Sequence, residues 1–478
     1  MRVLFIQPPW GDVYGNFKSA AKVGNAYPPL GICYLSALLK KRGITTKIID
    51  AEMENKSIDH CLEDAVTFEP DYICLTSTSS IYHIAVKLGK LLKERIGVPI
   101  IIGGSHVTVL PHDSLKERSF FDFGIYGEGE NSIVELIEYL SEGKGKKEDI
   151  KGLIYRDEEN KVRVNPPRPL LSDLDNLPLP DRGGLALDRY LWSVPGKGIV
   201  RFTTIMTSRG CPFKCIFCSA QTVFGKKVRN RKISSVLDEL DVLVNDLNIQ
   251  HFSLIDDTLT LDHDRVKELC QGIKNRKLDI TWEGWTRANT VNKEIFRIMK
   301  DAGFIRVSFG IESGNPDILK HIRKGVKLED YENAYRIAHE VGIETRGSVM
   351  LGHPYETRKT ATETLRFIKN LKGCQQMYIN VTTPYPGTEL YEMARKGEGG
   401  IHLLTNDLSQ YKRYGSAVIN VNDLQADDLV ELQRKGFMMF YLTPGRIWYN
   451  LKRAGLLAAV RNGWAFFKSV VWRSPPKT

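Results

Sequence analysis

The sequence lacks the features of a membrane-spanning or exported protein. No apolar run approaches the roughly 20 residues that a membrane-spanning helix needs. The opening run Arg2–Ile6 leads directly into Gln7–Pro9, so the chain does not open with a hydrophobic region as long as that of a signal peptide. Only eight cysteines occur in 478 residues, and 42% of the residues are hydrophobic. We therefore expect a cytoplasmic protein with reduced thiols and a sizeable core.

Acidic residues are absent from residues 434–478, which carry nine Lys and Arg residues and three Trp residues. Because the formal net charge of the whole chain is +10, the first 433 residues are close to neutral. A basic segment with tryptophans can lie on an anionic membrane surface, and it can equally form a helical cap on the protein. Peripheral membrane contact and a cap both stay open, whereas the near-neutral remainder argues against nucleic-acid binding.

The alternation of strand-like and helix-like patterns predicts an α/β protein with four regions. Residues 1–144 alternate five strands with helices, which is typical of a doubly wound parallel sheet, that is, a Rossmann-like domain. Residues 145–197 combine a hairpin with proline-rich segments and are interpreted as a linker. Residues 198–399 contain six strand–helix units, which predict a partial barrel of the TIM type. Residues 400–478 form a basic, mostly helical region.

Ligands of parallel sheets bind beyond the carboxyl ends of the strands, so the expected strand ends identify candidate site residues. The expected strands are Val3–Ile6, Thr46–Asp50, Tyr72–Thr76, Pro99–Ile102 and Phe123–Tyr126 in the first region, and Phe202–Met206, His251–Ile255, Ile280–Trp285, Ile305–Phe309, Glu344–Leu351 and Gln376–Thr382 in the third. Small or polar residues at or after the first set are Thr76, Ser77, Gly103, Gly104, His106, Gly127, Glu128 and Gly129. Those after the second set are Asp256, Asp257, Arg287, Glu312, Ser313, His353 and Tyr385.

Three cysteines share one loop after the first barrel strand. Cys211, Cys215 and Cys218 are spaced C-x3-C-x2-C. Three thiolates can bind three corners of a cubic iron–sulfur cluster and leave the fourth iron open to a small molecule. A tetrahedral zinc site needs a fourth ligand, and no other Cys or His lies within a dozen residues. The cluster is the favoured interpretation, with zinc and inert or disulfide-bonded cysteines as the alternatives.

The cysteine spacing, with Phe217 before the last cysteine, resembles the radical S-adenosylmethionine (radical SAM) enzymes. The first region resembles the cobalamin-binding domain found ahead of many radical SAM cores, on the segments Tyr27–Gly31, Gly103–His106 and Gly127–Glu130. Better-known cobalamin domains supply a histidine ligand from an Asp-x-His-x-x-Gly motif, and no Asp-x-His occurs in this chain. The resemblance therefore implies a [4Fe–4S] cluster, SAM and a cobalamin without that histidine ligand. A cobalamin-like fold that binds no cofactor remains the alternative.

The resemblance also implies roles for individual residues. It places Asp256 and Asp257 at the methionine amine of SAM, although the pair could instead cap a helix. It places Glu312 and Ser313 at the ribose and methionyl groups. Further candidates are Arg287 and Arg346 as carboxylate or substrate partners, Tyr385 and His353 as proton donors or substrate contacts, and His106 near the corrin. A surface ion pair is the alternative for Arg346, and a solvated loop side chain is the alternative for His106.

The best-attested chemistry of the resembled family is radical methyl transfer to an unreactive carbon. This implies a small-molecule or lipid substrate and an electron donor such as flavodoxin or ferredoxin. The anaerobic cyclase that closes a ring of magnesium-porphyrin esters shares every motif named above, so ring closure stays open as an alternative. A non-catalytic cobalamin or redox sensor is the alternative of another class, and formation of 5′-deoxyadenosine would distinguish an enzyme from it.

Overall fold

The computed structural model of the protein describes residues 1–17 and 27–454, and two seven-stranded sheets organise them. The first sheet contains β1 (Arg2–Gln7), β2 (Thr45–Asp50), β3 (Tyr72–Thr76), β4 (Ile100–Gly103), β5 (Phe123–Ile125), β6 (Leu153–Arg156) and β7 (Val162–Val164). Its helices are α1 (Leu30–Lys40), α2 (Ile58–Phe68), α3 (Tyr82–Ile96), α4 (Ser105–Val109), α5 (Pro111–Leu115) and α6 (Glu130–Glu142). Strands β1 to β5 run parallel in the order β2-β1-β3-β4-β5, which confirms the doubly wound arrangement.

Both faces of the first sheet are buried, which explains why its strands are almost continuously apolar. Phe5 and Ile101 point to one face, in a cluster with residues of α1 and α6. Ile6 and Ile102 point to the other face, in a cluster with residues of α2 and α3. Successive side chains of a strand alternate between faces, so helices on both sides leave the carboxyl ends of the strands as the open edge.

The hairpin that the sequence predicts is present, and it extends the first sheet. Strand β6 pairs antiparallel with β5, with Gly124 opposite Ile154, and β7 continues the sheet beyond it. The side chain of Ile154 is fully buried, so the hairpin is packed against this sheet. Strand β8 (Leu191–Val194) already belongs to the second sheet. The connection between the sheets is therefore shorter than the predicted linker of residues 145–197.

The second sheet is an open half barrel. It contains β8, β9 (Gly198–Ile205), β12 (His251–Leu254), β13 (Thr281–Thr286), β14 (Phe304–Glu312), β15 (Glu344–Leu351) and β16 (Gln376–Val381). The intervening strands β10 (Ser208–Arg209) and β11 (Arg229–Asn230) form a separate two-stranded sheet. The order is β16-β15-β14-β13-β12-β9-β8, in which β9, β12, β13, β14, β15 and β16 run parallel and β8 is antiparallel to β9. The six predicted barrel strands are present, which confirms the partial barrel.

Helices cover the outside of the half barrel and its carboxyl-terminal extension. They are α7 (Ala220–Phe224), α8 (Ile233–Asn245), α9 (His263–Asn275), α10 (Lys293–Asp301), α11 (Pro316–His321), α12 (Leu328–Val341), α13 (Arg358–Asn370), α14 (Glu389–Lys396), α15 (Ala426–Tyr441) and α16 (Pro444–Ala454). A small antiparallel pair, β17 (Ile401–Leu403) and β18 (Ile419–Val421), precedes α15. The part of the predicted basic region beyond residue 454 lies outside the described residues.

None of the helices in residues 1–17 and 27–454 combines the length and the apolarity that crossing a membrane would require. The longest described helix of the basic region, α15, instead packs against the second sheet through Leu429, Leu432 and Phe440. For α15, the packing matches the interpretation of the basic region as a helical cap on the protein.

A buried group of charged side chains ties the connection between the sheets to the half barrel. Glu239 of α8 forms ion pairs with Arg182 of the connection, at 2.6 Å, and with Arg231. The Arg182 guanidinium also donates to the side chain of Thr203 on β9, at 3.2 Å. Because both arginines share one carboxylate and all three charged side chains are less than 7% exposed, removing that carboxylate would leave two uncompensated buried charges.

We predict that Glu239→Gln lowers the free energy of unfolding by about 3–5 kcal/mol, the range seen when one partner of a buried ion pair is removed. Chemical denaturation followed by circular dichroism measures the change. Glu268→Gln, on the exposed side of α9, is the matched control and is expected to stay within about 0.5 kcal/mol of the unchanged protein. Equal unfolding midpoints for the two variants would contradict the prediction.

Candidate functional site

The cysteine loop is fixed at the carboxyl end of the half barrel by backbone hydrogen bonds to several segments. The N–H of Cys211 donates to the carbonyl of Gly225 at 3.2 Å, and the N–H of Ile216 donates to the carbonyl of Ile322 at 3.3 Å. The carbonyl of Ile216 accepts from the N–H of Leu390 at 3.0 Å. Because these partners are far apart in the sequence, the whole barrel edge holds the loop in place.

The donor set on this loop fits a four-iron cluster better than a single metal ion. Among the described residues, no group of three or more Cys, His, Asp or Glu side chains is placed to hold a metal ion. A zinc site needs its ligands to converge on one ion, whereas thiolates of an iron–sulfur cluster can each bind a different iron. Burial raises the pKa of Cys211, so an iron bound by this cysteine would displace a proton from its thiol.

Arg287 brings a positive charge to the cysteine loop. Its guanidinium lies 3.7 Å from the centre of the Phe213 ring, and one of its amino groups lies 3.9 Å from the sulfur of Cys215. The same side chain donates to the backbone carbonyl of Lys324 and is only 7% exposed. A buried cation attracts a neighbouring negative charge, so Arg287 is suited to stabilise an iron-bound cysteine.

Glu312 and His353 lie at the carboxyl ends of the neighbouring strands β14 and β15. Glu312 ends β14 in a left-handed backbone conformation, with φ of 66°, and its carboxylate pairs with Lys324 at 2.9 Å. His353 is fully buried, and its ring lies 6.1 Å from that of Phe217. Burial lowers the pKa of His353 to about 4, although a hydrogen bond with the backbone of Glu312 acts in the opposite direction, so the imidazole is neutral.

The two neighbouring aspartates have different surroundings. Asp256 is buried and accepts hydrogen bonds from the backbone N–H groups of Thr207 and Ser208, at 2.7 and 3.2 Å, and from their hydroxyls. Asp257 is exposed and faces the cavity described next. Asp262 caps the following helix, so the helix-cap interpretation of the aspartate pair is wrong. Asp256 positions the segment before the cysteine loop, and Asp257 is the carboxylate of the pair that faces the cavity.

A cavity of about 580 Å³ lies between the first sheet and the half barrel. Its wall includes Thr76, Gly103, Gly104, Gly127, Glu128 and Gly129 from the strand ends of the first sheet, and Met206, Cys218, Ala220, Phe224, Ile255 and Asp257 from the barrel. Gly104 has a φ of 100°, and a Cβ there would lie 2.5 Å from the carbonyl oxygen of Ser77, so this turn requires glycine. Among the described residues that line the cavity there is no histidine.

Three residues expected in the site are directed elsewhere. The hydroxyl of Ser77 donates to a neighbouring backbone carbonyl, and that of Ser313 bonds to Thr364 at 3.1 Å inside the core. His106 is buried in α4, with its ring stacked 3.8 Å from that of Tyr82. The alternative of a solvated His106 is therefore wrong, and a position of His106 near the corrin stays a prediction. None of these three residues is among those that line the cavity. The strand-end position of each was visible in the sequence, but the direction of its side chain was not.

Four charged residues join the two walls of the cavity. Three of them, Arg209, Arg229 and Glu130, were not among the candidate site residues expected from the sequence. Arg209 pairs with Glu128 at 2.9 Å and with Glu130 at 2.6 Å, and Arg229 pairs with Glu128 at 2.9 Å. All four side chains are less than 8% exposed. The arginines lie opposite each other on β10 and β11, on either side of the cysteine loop. Two features of the sequence could have pointed to these ion pairs. They are the arginines on either side of the cysteines and the Gly-Glu-Gly-Glu run.

Arg346 and Tyr385 lie on the barrel side, away from the cavity wall. Arg346 is only 4% exposed and lies 3.8 Å from Glu283 inside the half barrel, so its interpretation as a surface ion pair is wrong. Tyr385 is half-buried, with its ring 5.9 Å from that of Tyr411, and burial raises its pKa. A role for either residue in contacting substrate stays a prediction.

The radical SAM superfamily model matches residues 205–368, and the B12 binding domain model matches residues 19–137. The chain is 35% identical to an uncharacterized methyltransferase of Pyrococcus horikoshii, over 93% of each chain. It is 27% identical to the anaerobic magnesium-protoporphyrin IX monomethyl ester cyclase of Rubrivivax gelatinosus, over 94% of this chain and 79% of the relative. The fold is shared with the radical S-adenosylmethionine methyltransferase TsrM of Kitasatospora setae, at a TM-score of 0.70 and 17% identity, covering 93% of this chain and 89% of that one.

We predict that Cys215→Ala abolishes assembly of the iron–sulfur cluster, because two loop cysteines cannot hold three of its corners. Iron content after anaerobic reconstitution measures the loss, from about four irons per chain to about none. Cys270→Ala, which removes a buried thiol of α9 outside the loop, is the control that should retain the iron. Full iron content in the Cys215 variant would overturn the ligand assignment.

Proposed function

Since this chain belongs to the radical SAM enzymes that carry a B12-binding domain, we propose that it methylates an unactivated carbon of a small molecule. Its cofactors are a [4Fe–4S] cluster, SAM and cobalamin, and it is a methyltransferase-like enzyme of this family. The observation that carries the proposal is the single cavity whose wall includes both Cys218 and the strand-end glycines of the B12-binding domain. A group bound at each wall would face the other across one shared space.

The bound groups supply the reactive chemistry, namely a carbon radical from SAM at the cluster and a methyl group carried by cobalamin. The chain supplies the ligands and the surroundings. In this proposal Cys211, Cys215 and Cys218 hold three irons, and Arg287 stabilises the thiolate charge. Phe224 and Ile255 give the cavity an apolar wall that excludes water from a reactive intermediate.

SAM needs partners for its charged methionyl end and for its ribose. In this proposal Asp257, which follows β12, and Glu312, which ends β14, are the carboxylates that accept from the amine and the ribose hydroxyls. The neutral imidazole of His353 can donate to or accept from the ligand without adding charge. The pair of Glu312 with Lys324 holds the carboxylate in place by a charge-assisted hydrogen bond.

The B12-binding wall is suited to a broad, flat ligand. In this proposal Gly103, Gly104 and Gly129 let the ligand approach the backbone closely, and Gly31 of α1 keeps the space beside them open. Because the cavity wall contains no histidine, the cobalt would have no histidine ligand from these residues. We also propose that the required electron comes from a small donor such as flavodoxin or ferredoxin.

Oxidative ring closure is the second candidate function. The cyclase relative aligns with 94% of this chain, so its overall architecture is shared, but its identity of 27% is lower than the 35% of the methyltransferase relative. Methyl transfer is therefore the favoured reaction.

The first experiment is to purify the protein without oxygen from cells supplied with cobalamin, and to measure iron, cobalt and zinc. We expect about four irons and one cobalt per chain. After reduction with dithionite in the presence of SAM, a methyltransferase should release both S-adenosylhomocysteine and 5′-deoxyadenosine. Release of 5′-deoxyadenosine alone would favour ring closure, release of neither would favour a sensor, and zinc without iron would refute the enzyme assignment.

We predict that Gly31→Phe blocks cobalamin binding and leaves the iron–sulfur cluster intact. A Cβ at Gly31 meets no atom within 4 Å, and the backbone there is helical, so the new ring enters the cavity without disturbing the helix. Cobalt per chain after incubation with hydroxocobalamin measures the loss. Gly445→Phe, also in open space but on α16, is the control. Equal cobalt content in both variants would show that cobalamin binds elsewhere.

A further inference from the structure

The inner face of the half barrel carries polar and aromatic side chains toward its carboxyl end. Glu283, Arg346 and Tyr378 share the inner face, because Arg346 lies 3.8 Å from Glu283 and 5.5 Å from the Tyr378 ring. Residues two positions further along each strand point the same way. These residues are Trp285, Ser348 and Asn380, and all three are half-buried, whereas Ile379, between Tyr378 and Asn380, is fully buried.

We call this inner space the barrel chamber and define it by Ile255, Trp285, Ser348 and Asn380. Ile255 is 40% exposed and also lines the cavity that contains Cys218. The chamber and the cofactor cavity therefore adjoin at Ile255. A substrate held in the chamber would reach toward the space between the two cofactor walls.

Arg413 enters the side of the barrel chamber next to β16, the edge strand. Its Nε donates to the side-chain oxygen of Asn380 at 3.3 Å, and one of its terminal amino groups bonds to the hydroxyl of Tyr14 at 3.3 Å. Its guanidinium lies 5.0 to 5.5 Å from the ring centres of Tyr14, Tyr378 and Tyr414. Three aromatic rings thus surround a half-buried cation.

No carboxylate balances this charge. Among residues 1–17 and 27–454, no Asp or Glu forms an ion pair with Arg413. Residues 18–26 and 455–478 contain no Asp or Glu in their sequence. The other two chamber arginines differ, because Arg306 and Arg346 share Glu283 and Arg306 also pairs with Glu344 at 2.7 Å.

The aromatic rings compensate only part of the cost of burying Arg413. Cation–π contacts contribute about 0.5–2 kcal/mol each, but a guanidinium offers five N–H donors. Two of these donors make the hydrogen bonds to Asn380 and Tyr14 described above. A further side-chain hydrogen bond joins Arg413 to Tyr414, and no carboxylate among the described residues accepts from the guanidinium. Such a group is prepared to bind an oxyanion, for which arginine provides paired donors.

The position of Arg413 is fixed by both halves of the protein. Its backbone N–H donates to the carbonyl of Val13 at 2.7 Å, from the segment after β1. Its carbonyl accepts from the side chain of Gln433 on α15 at 3.4 Å. Asn380 is held in turn by Ser348 at 3.2 Å. These contacts preorganise the guanidinium, so that a ligand would not have to order it on binding.

We propose that Arg413 binds an acidic group of the substrate, a carboxylate or a phosphoryl group, and thereby fixes the substrate in the barrel chamber. This inference rests on the proposed function and specifies its substrate class as an acid whose unreactive carbon lies toward Ile255. Trp285 and Ile255 provide the apolar contacts for that part of the molecule, and the hydroxyl of Tyr14 is a further hydrogen-bond donor for the acid.

The test uses the holoenzyme, loaded with cluster and cobalamin, and calorimetric titration without oxygen. The probes are octanoate, octyl phosphate and octanol, which share one alkyl chain and differ in the end group. We expect one or both acids to bind roughly tenfold to hundredfold more tightly than octanol, the factor that corresponds to a charge-assisted hydrogen bond. The stronger of the two acids identifies the kind of acidic group.

Arg413→Gln should remove the preference for the acids, and Arg413→Lys should retain part of it because the charge remains. Arg395→Gln, on exposed α14, is the control that should retain all of it. Equal binding of acids and octanol by the unchanged protein, or a preference that survives in Arg413→Gln, would overturn the inference. If Arg413→Gln does not fold, Arg413→Lys is measured instead, and an acid preference as large as that of the unchanged protein would overturn the inference.

The same preparation separates this inference from the proposed function. Iron and cobalt content and the two SAM products are measured on each sample before titration. A protein that lacks the cofactors or the products refutes the proposed function, whatever it binds. A protein that has both and does not distinguish acids from octanol refutes only the role of Arg413.

Discussion

The ion pairs that join Arg209 and Arg229 to Glu128 and Glu130 decide how the two walls of the cavity meet. They connect the loop after β5 with the strands that bracket the cysteine loop. Buried ion pairs recover little net stability, because taking the charges out of water costs about as much as their attraction returns. Their effect here is geometric, since misplacing either side would leave buried charges unpaired. A small relative shift of the two halves is therefore opposed.

Other contacts between the halves follow the same pattern. Tyr190, before β8, donates to buried Asp50 at 2.6 Å, and burial raises the pKa of Asp50 to about 6. The backbone of Arg413 is bound to Val13. Each of these contacts pairs a polar group of one half with a buried or half-buried partner in the other. The reactive space at the joint is thus surrounded by interactions that exist only when both halves are docked.

The sequence was sufficient to predict what depends on local pattern. Apolar strands alternating with helices gave both sheets, and the cysteine spacing gave the loop. Contacts between residues far apart in the sequence could not be predicted. Arg209 and Arg229, for example, lie 81 and 101 positions from Glu128. The direction of a side chain could not be predicted either. Asp256 and Asp257 are adjacent and chemically equal, yet only Asp257 faces the cavity. Which of the two is buried depends on the alternation of β12 and on the donors that Thr207 and Ser208 provide.

The distribution of charge inside the half barrel separates structural from binding groups. Burial acts to raise the pKa of Glu283, but Arg306 and Arg346 outweigh it and lower that pKa to about 2. This carboxylate therefore stays ionised and keeps the charges at the bottom of the barrel paired with one another. Tyr27, whose ring lies 5.7 Å from that of Phe202, packs near this group. The surplus positive charge is on Arg413, at the side of the chamber. An anionic substrate would be attracted to that side of the chamber. Arg306 and Arg346 would attract it less, because their charges are paired with carboxylates.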